Sequence, residues 1–221
     1  MSIIKLEWKY ACNLNDYKKI DSNENVIYLH FLRGRIIYFG KGKLKSAQSR
    51  HYYNMKKKRA TIFNLNEAKE DLYFYFCKDN YRYFYAVRNG GKNNIIYDTE
   101  NIPELLSGEK ADEIIKINLD ETSVYYATEN EKKSLIAEAN LQLHFIKKYR
   151  MDLYHNKKGF INGYCTVFRN QINPEYEIEN LTHKVPELKE LPETVKMSNE
   201  EYAKVIKMPF EEIESFYRNK N

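Results

Sequence analysis

Short runs of β-favouring residues, separated by polar or glycine-containing segments, dominate the N-terminal part of the chain. Residues 3–10 alternate between apolar and polar side chains, which predicts a strand. Residues 13–25 are polar and predict a loop. Two further β-favouring runs, 26–31 and 35–39, flank Gly34, so a tight turn there would pair them as an antiparallel hairpin.

The composition changes from strand to helix after the hairpin. Gly40 and Gly42 are expected to end the second strand, because glycine permits a sharp change of chain direction. Residues 45–59 then have the composition of a helix, for which Ser46 is a candidate N-cap. A basic helix is therefore expected directly behind the hairpin.

A β-rich block, residues 61–120, follows this helix. Aromatic strands are predicted at 72–76 and 81–87, and residues 89–91 (NGG) are typical of a turn. The block also has weaker predicted elements, namely strands at 95–97 and 113–119 and a helical turn at 102–106. We expect the block to be an insert between two parts of a core.

The clearest predicted helix lies at 129–148, where apolar residues supply much of one face. It follows a predicted strand at 123–128, and residues 160–168 are expected to form a last strand or extended segment. From Pro174 the sequence becomes acidic and loop-like. Two short helices are predicted in this tail, at 199–206 and 209–217.

These elements predict a single domain, residues 1–221, of the α/β class (α+β type). Its core would be a small, mostly antiparallel sheet flanked by helices, formed by residues 26–60 and 121–168. The β-rich insert would span 61–120, and 169–221 would be a C-terminal extension.

Positive charge is concentrated in one window of the chain. Residues 25–66 hold ten Lys or Arg and no Asp or Glu. The other 26 basic and 31 acidic residues give the remainder a charge of −5, although the whole chain is formally +5. Such segregation is expected of a face that binds phosphate groups, and an ordinary solvated basic surface is the alternative.

Composition argues against several other classes of protein. The longest apolar run, residues 72–77, is far short of the ~20 residues of a membrane-spanning helix, and no signal peptide is recognisable, so a cytoplasmic protein is expected. The three cysteines and five histidines show neither a disulfide framework nor the spacing of a zinc site.

Two tyrosines of the predicted hairpin, Tyr28 and Tyr38, can lie on one side of the sheet with their hydroxyls close together. A phenol with its ordinary pKa of ~10 is a poor base unless a cation lowers that pKa. Arg50 can bind two phosphate oxygens and stabilise the extra negative charge of a phosphoryl transition state. The alternative is that both tyrosines are core aromatics and the arginine is an ordinary surface residue.

The order of hairpin, basic helix, insert, strand and helix resembles the GIY-YIG nuclease superfamily over roughly residues 26–54 and 123–165. Residues 26–28 (VIY) stand where the family has GIY, and residues 38–40 (YFG) stand where it has YIG. The resemblance implies that Arg50 is the catalytic arginine.

The resemblance also implies the partners of these groups. His51, or else Tyr52 or Tyr53, would be the His or Tyr that the family has beside its arginine. Glu138 would project from the second helix and hold one Mg²⁺, mostly through water ligands. A lone carboxylate suits one ion rather than a two-metal clamp. The implied reaction is in-line attack by water on a phosphodiester.

Several assignments under the resemblance have alternatives. The general base would be Tyr28 or a lysine such as Lys43, and the family's late asparagine would be Asn162 or Asn156. The basic residues would grip backbone phosphates by counterion release. The expected nucleic-acid contacts are Lys41, Lys43, Lys45, Lys56, Lys57, Lys58, Arg59 and Asn162.

Together these features predict a Mg²⁺-dependent DNA endonuclease, of a type II restriction-like kind because no separate DNA-binding domain is recognisable. Double-stranded DNA is the expected partner, and a homodimer would supply one site for each strand. The alternatives are a broad-specificity defence or toxin nuclease of the same fold and a non-catalytic DNA-binding protein. The co-occurrence of Arg50 and Glu138 favours an enzyme, because a protein that only binds DNA does not require an acid that faces its basic surface and repels phosphate.

Overall fold

The structure, a computed structural model, describes residues 2–32, 34–56, 60–67, 70–77, 82–89, 92–96, 116, 119–149, 171–205 and 207. Its strands are β1 Ser2–Glu7, β2 Lys9–Asn13, β3 Asn25–Leu32, β4 Arg35–Lys43, β5 Ala60–Glu67, β6 Glu70–Cys77, β7 Arg82–Asn89, β8 Lys92–Ile96, β9 Ser123–Thr128, β10 Tyr176–Leu181 and β11 Thr194–Val195. The helices are a 3₁₀ helix Leu14–Lys19, α1 Leu44–Lys56, α2 Glu131–Tyr149 and α3 Asn199–Val205. Helices and sheets together give the expected α+β class.

The central sheet has the strand order β2-β9-β3-β4, and all its described pairs are antiparallel. The predicted hairpin is confirmed as β3 and β4, with Gly34 in the turn at a φ of 81°. The predicted strand at 123–128 is β9 and the long predicted helix is α2.

Alternation along β3 sends its side chains into two separate cores. Ile27 and Leu29 pack into the cluster that includes apolar residues of α2. Val26 and Tyr28 pack into the cluster that includes residues of α1 and the 3₁₀ helix. The central sheet is therefore covered on both faces, which explains why β3 is apolar nearly throughout rather than at every second position.

A second sheet joins the two ends of the described chain. Strand β1 pairs in parallel with β10, and β10 pairs antiparallel with β11. Trp8 interrupts the single strand predicted for residues 3–10, because its buried indole Nε1 donates to Asn180 Oδ1 at 3.0 Å and turns the chain from β1 into β2. The sequence predicted a loop-like segment from Pro174, and this prediction is wrong for Tyr176–Leu181, which form strand β10.

Four other local predictions need correction. Strand β4 continues through Gly40 and Gly42 to Lys43, because the whole segment stays paired with β3. Helix α1 begins at Leu44, so Ser46 lies in its first turn, where the Asn23 side chain accepts hydrogen bonds from the Ser46 N–H and hydroxyl.

The polar loop predicted for residues 13–25 contains the 3₁₀ helix. The strand predicted at 113–119 was wrong at Lys116 and Leu119, which are helical; the rest of that range lies outside the described residues.

The predicted insert contains a third sheet, an antiparallel meander in the order β5-β6-β7-β8. Strands β6 and β7 match the two predicted aromatic strands, β8 overlaps the strand predicted at 95–97, and β5 was not predicted. The elements predicted at 102–106, 160–168 and 209–217 lie outside the described residues. Among the described helices, none has the length and apolar character needed to cross a membrane.

Asn180 offers a test of how firmly β10 is held. Its side chain accepts from Trp8 and donates to the Pro192 carbonyl at 2.8 Å. We expect Asn180→Ala to lower the free energy of unfolding by about 2–4 kcal/mol, because both partners lose a buried hydrogen bond. Glu179→Ala, which removes only a surface ion pair on the same strand, should change it by less than about 1 kcal/mol in chemical denaturation. Equal effects would contradict this account.

Candidate active site

Tyr28 and Tyr38 are brought together by the register of the hairpin. Tyr28 pairs with Gly40 and Tyr38 pairs with His30, so the two tyrosines are diagonal neighbours. Their ring centroids are 5.9 Å apart and the rings are nearly parallel, at 19°. The expectation that both side chains lie on one side of the sheet is confirmed.

Gly40 provides the space for the Tyr28 ring. A Cβ atom at residue 40 would lie 2.5 Å from both Cζ and the hydroxyl oxygen of Tyr28, and 2.6 Å from Cε1 of Tyr38. Such distances are far inside van der Waals contact. Glycine at this position is therefore required by the approach of two aromatic rings and not by a strand end.

Helix α1 adds His51 to the two phenols. The Tyr28 hydroxyl lies 2.7 Å from His51 Nε2. Burial is the largest influence on the pKa of both tyrosines and raises it, and a hydrogen bond joins the two phenols. Hydrogen bonds therefore link Tyr38, Tyr28 and His51 in a row.

The two phenols differ in their access to solvent. Tyr28 is fully buried, and burial raises its pKa well above 10. Tyr38 is only partly buried by the surrounding residues, and burial raises its pKa to about 12. Of the pair, Tyr38 is both the more acidic and the one that reaches the surface.

A buried hydrogen-bonded pair, His30 and Gln48, packs next to the hydrogen-bonded row of Tyr38, Tyr28 and His51. His30 Nε2 lies 2.7 Å from Gln48 Oε1, and burial lowers the His30 pKa to about 4, so this imidazole is neutral at pH 7. The His30 ring lies 4.8 Å from that of His51 and 5.2 Å from that of Tyr38. The sequence analysis missed both residues, although His30 alternates with Tyr28 on β3 and Gln48 precedes His51 by one helical turn.

Helix α2 reaches the same place along the open edge of β4. The Glu138 carboxylate accepts a hydrogen bond from the Lys41 backbone N–H, and Gln142 Nε2 donates to the Phe39 carbonyl at 2.9 Å. Residues 138 and 142 are one turn apart, so they satisfy alternate outward-facing groups of the strand. Two backbone contacts thus fix the position of Glu138 relative to the hairpin.

Glu138 is a buried acid with an altered affinity for protons. Its side chain is only 7% exposed, and burial raises its pKa from 4.5 to about 8, against the opposing charges of Lys41 and Arg50. Its negative charge in turn raises the pKa values of both hairpin tyrosines, after the larger effect of burial. The acid and the phenols therefore share one electrostatic environment.

Arg50, the last of the predicted catalytic residues, lies on the exposed side of α1. Burial raises the pKa of both hairpin tyrosines and of Glu138, and the positive charge of Arg50 opposes the rise in all three. Lys41 lies at the same edge, with its amine 3.9 Å from the Glu131 carboxylate. The five predicted catalytic residues, from β3, β4, α1 and α2, thus converge on one edge of the sheet.

The other predicted contacts are distributed along β4 and α1. Lys43 and Lys56 are exposed, and Lys45 is half-buried. The remaining basic and asparagine predictions lie outside the described residues; they are Lys57, Lys58, Arg59, Asn156 and Asn162.

Glu138 is the candidate ligand for a single hard cation at this edge. No group of three or more His, Cys, Asp or Glu in the described part of the chain is arranged to hold a metal ion. Glu138 is instead a solitary carboxylate whose burial is unfavourable for its charged form, and a cation would offset that cost. One carboxylate with water ligands is the arrangement that Mg²⁺ commonly accepts.

Comparison with protein-family models, curated proteins and solved structures found no match to the chain.

The close packing at Gly40 leads to a prediction of stability. We expect Gly40→Ala to destabilise the protein by about 2–4 kcal/mol, because the methyl group has to displace two packed rings within a sheet. Gly34→Ala is the matched control: its Cβ would meet nothing within 4 Å, and only the φ of 81° opposes it. That variant should lose about 1 kcal/mol in thermal unfolding. A smaller loss for Gly40→Ala than for Gly34→Ala would contradict the packing described.

The raised pKa of Glu138 leads to a prediction of pH dependence. The folded protein binds this proton more tightly than the unfolded chain, with a pKa of about 8 against 4.5. The resulting stability is fully present below about pH 4.5 and is lost as the pH rises to about 8. Glu138→Gln cannot lose a proton, so its advantage over the wild type should grow over this range to on the order of 5 kcal/mol.

Denaturant unfolding of both proteins in EDTA, from about pH 5 to about pH 9, would measure this difference. Glu131→Gln, an exposed acid on the same helix, is the control and should follow the wild type at every pH. A constant difference between Glu138→Gln and wild type across the range would show that Glu138 titrates normally.

Proposed function

We propose that this chain is a Mg²⁺-dependent DNA endonuclease of the GIY-YIG type that hydrolyses phosphodiester bonds. The observation that carries the proposal is the convergence of two phenols, a guanidinium and a buried carboxylate at one sheet edge. These groups come from four separate elements, so their meeting is not a consequence of sequence proximity. The excess of positive charge in the same part of the chain supports a polyanionic substrate.

Arg50 is suited to the scissile phosphate. Its guanidinium is exposed and positively charged, and it lies where its charge influences both phenols and Glu138. A guanidinium can donate two parallel hydrogen bonds to phosphate oxygens. In the proposed reaction it stabilises the additional negative charge that develops when water attacks phosphorus.

Glu138 would hold the Mg²⁺ through the oxygen that its backbone contact leaves available. A bound Mg²⁺ supplies charge neutralisation at the leaving oxygen. The Lys41 N–H keeps the carboxylate oriented, and the burial of the acid limits competition from bulk water. Because protonated Glu138 cannot serve as a ligand, activity should increase as the pH approaches the pKa of this residue.

The phenols and His51 would position the attacking water. Tyr38 is only partly buried and is hydrogen-bonded to Tyr28, which in turn is hydrogen-bonded to His51. In the proposed reaction the Tyr38 hydroxyl contacts a phosphate or water oxygen. A fully buried Tyr28 is poorly placed to take a proton from water directly, which favours a lysine such as Lys43 as general base.

A type II restriction-like role is the specific form that we propose. Double-stranded DNA is the substrate, the insert and the C-terminal region contribute base recognition or assembly, and a homodimer cuts both strands. A defence nuclease of looser specificity and a non-catalytic DNA-binding protein would give different products in the same assay.

The proposal is tested by incubating purified protein with plasmid and phage DNA in Mg²⁺ or in EDTA. We expect discrete fragments with Mg²⁺ and none with EDTA. A smear of many fragment lengths would refute the restriction-like specificity and indicate a defence nuclease. A salt-dependent gel shift without any cleavage would indicate a non-catalytic DNA-binding protein. Arg50→Ala should lose about 10²–10³-fold in cleavage rate.

Glu138→Gln separates chemistry from folding, because it is expected to be folded and at least as stable as the wild type. It should cleave at least about 10²-fold more slowly and bind DNA as tightly or more tightly, since a negative charge near phosphate is lost. Glu131→Gln should cleave at the wild-type rate. Full activity in Glu138→Gln would refute the metal role of this residue.

A further inference from the structure

Three consecutive residues of α1, His51, Tyr52 and Tyr53, divide between two sides of the helix. His51 turns inward to Tyr28. Tyr52 and Tyr53 instead meet Tyr17 of the 3₁₀ helix, on the flank of α1 that also carries Lys45 and Lys56. The candidate active site therefore does not account for these two tyrosines.

The three tyrosine rings form a pre-packed cluster. Tyr17 and Tyr52 have centroids 4.9 Å apart, Tyr52 and Tyr53 are 5.4 Å apart at 84°, and Tyr17 and Tyr53 are 6.2 Å apart at 66°. Tyr53 nevertheless remains 45% exposed. Mutual packing restrains these side chains before any partner arrives, which lowers the entropic cost of binding through them.

Hydroxyl and ammonium groups surround the cluster. The Tyr17 hydroxyl is hydrogen-bonded to Tyr53 and Ser49, and the bond to Tyr53 is the largest of the influences that together lower the Tyr17 pKa; burial opposes them, and the charges of Lys18 and Lys45 contribute less. The Lys56 amine donates to the Tyr52 hydroxyl at 3.3 Å and lies 5.5 Å from the centre of that ring. The nearest acid on the 3₁₀ helix, Asp16, is paired with Lys19 at 3.1 Å.

This chemistry fits phosphate better than bases. The Tyr52 ring has the Lys56 amine on it and Tyr17 packed against it, so an open ring face for base stacking is lacking there. Hydroxyls and ammoniums are the groups that proteins use to contact the sugar–phosphate backbone. Within the described residues, Lys45 and Lys56 form no ion pair, so both charges can neutralise phosphates.

We propose that Tyr52 and Tyr53, packed on the buried Tyr17, form with Lys45 and Lys56 a second contact surface that binds the phosphate backbone of duplex DNA beside the cleavage site. The inference rests on the proposed function for its ligand, but it concerns a different flank of α1 from the one that carries Arg50. A clamp of this kind would position the duplex without reading its sequence.

The test is binding of a fluorescently labelled duplex in EDTA, over a range of KCl concentrations. Lys45→Gln and Lys56→Gln should each weaken binding and reduce the slope of log K against log salt by about 0.9, the effect of one phosphate contact. Tyr53→Phe removes one hydroxyl and no charge, so it should weaken binding roughly tenfold at an unchanged slope.

Matched controls lie on other surfaces. Tyr10→Phe changes a tyrosine that is 51% exposed on β2, and Lys189→Gln changes an exposed lysine of the C-terminal region. Both should keep wild-type affinity and slope. Thermal unfolding of every variant shows whether a loss of binding reflects a loss of folding.

The possible failures can be told apart. Wild-type protein that binds no duplex would refute the proposed function itself. Wild-type binding with unchanged affinity and slope in all three surface variants would overturn only this inference. If Tyr53→Phe altered the sedimentation of the protein and not its affinity for DNA, the surface would be a protein contact and the inference would be wrong.

Discussion

The exposed edge of β4 is the constraint on which the arrangement of this protein depends. An edge strand presents unpaired backbone groups, and here α2 covers two of them with side chains. Glu138 accepts from Lys41, and Gln142 donates to Phe39. These contacts fix α2 against the β3–β4 hairpin. Glu138, the acid that the proposed chemistry would use, therefore also stabilises the fold. The edge of the sheet and the candidate active site are the same place.

Polar groups inside the protein are arranged to support one another around that edge. His30, Gln48 and Tyr28 are all nearly inaccessible, a placement that is costly unless hydrogen bonds are made. Each makes at least one hydrogen bond, although the Gln48 amide nitrogen has no hydrogen-bond partner among the described residues. The two cross-links from β3 to α1, through Gln48 and His51, tie the helix to the hairpin. The rigidity that keeps Arg50 near the phenols comes from this buried layer rather than from the exposed residue itself.

The sequence predicted elements well where local pattern and tertiary setting agree. Strand β9 is clear because β-favouring residues fill it, and helix α2 is clear because Leu135, Leu141, Phe145 and Ile146 supply much of one face of the predicted helix. The break at Trp8 and the strand β10 were not predictable, since both depend on a pairing between segments far apart in the chain. The same distinction holds for the candidate active site. The order of residues along the chain predicted Tyr28, Tyr38, Arg50 and Glu138. The burial of His30 depends on tertiary packing, so no local pattern predicts it.

The parallel pairing of β1 with β10 has a consequence for folding during synthesis on the ribosome. Ser2 lies opposite Tyr176 and Glu7 opposite Leu181, so β1 leaves the ribosome long before β10 and lacks its neighbour until most of the described chain has been made. At ordinary rates of translation that delay is roughly 10–30 s. During this delay the unpaired edges of β1 would make the nascent chain prone to aggregation, and a chaperone that binds exposed strands would protect it.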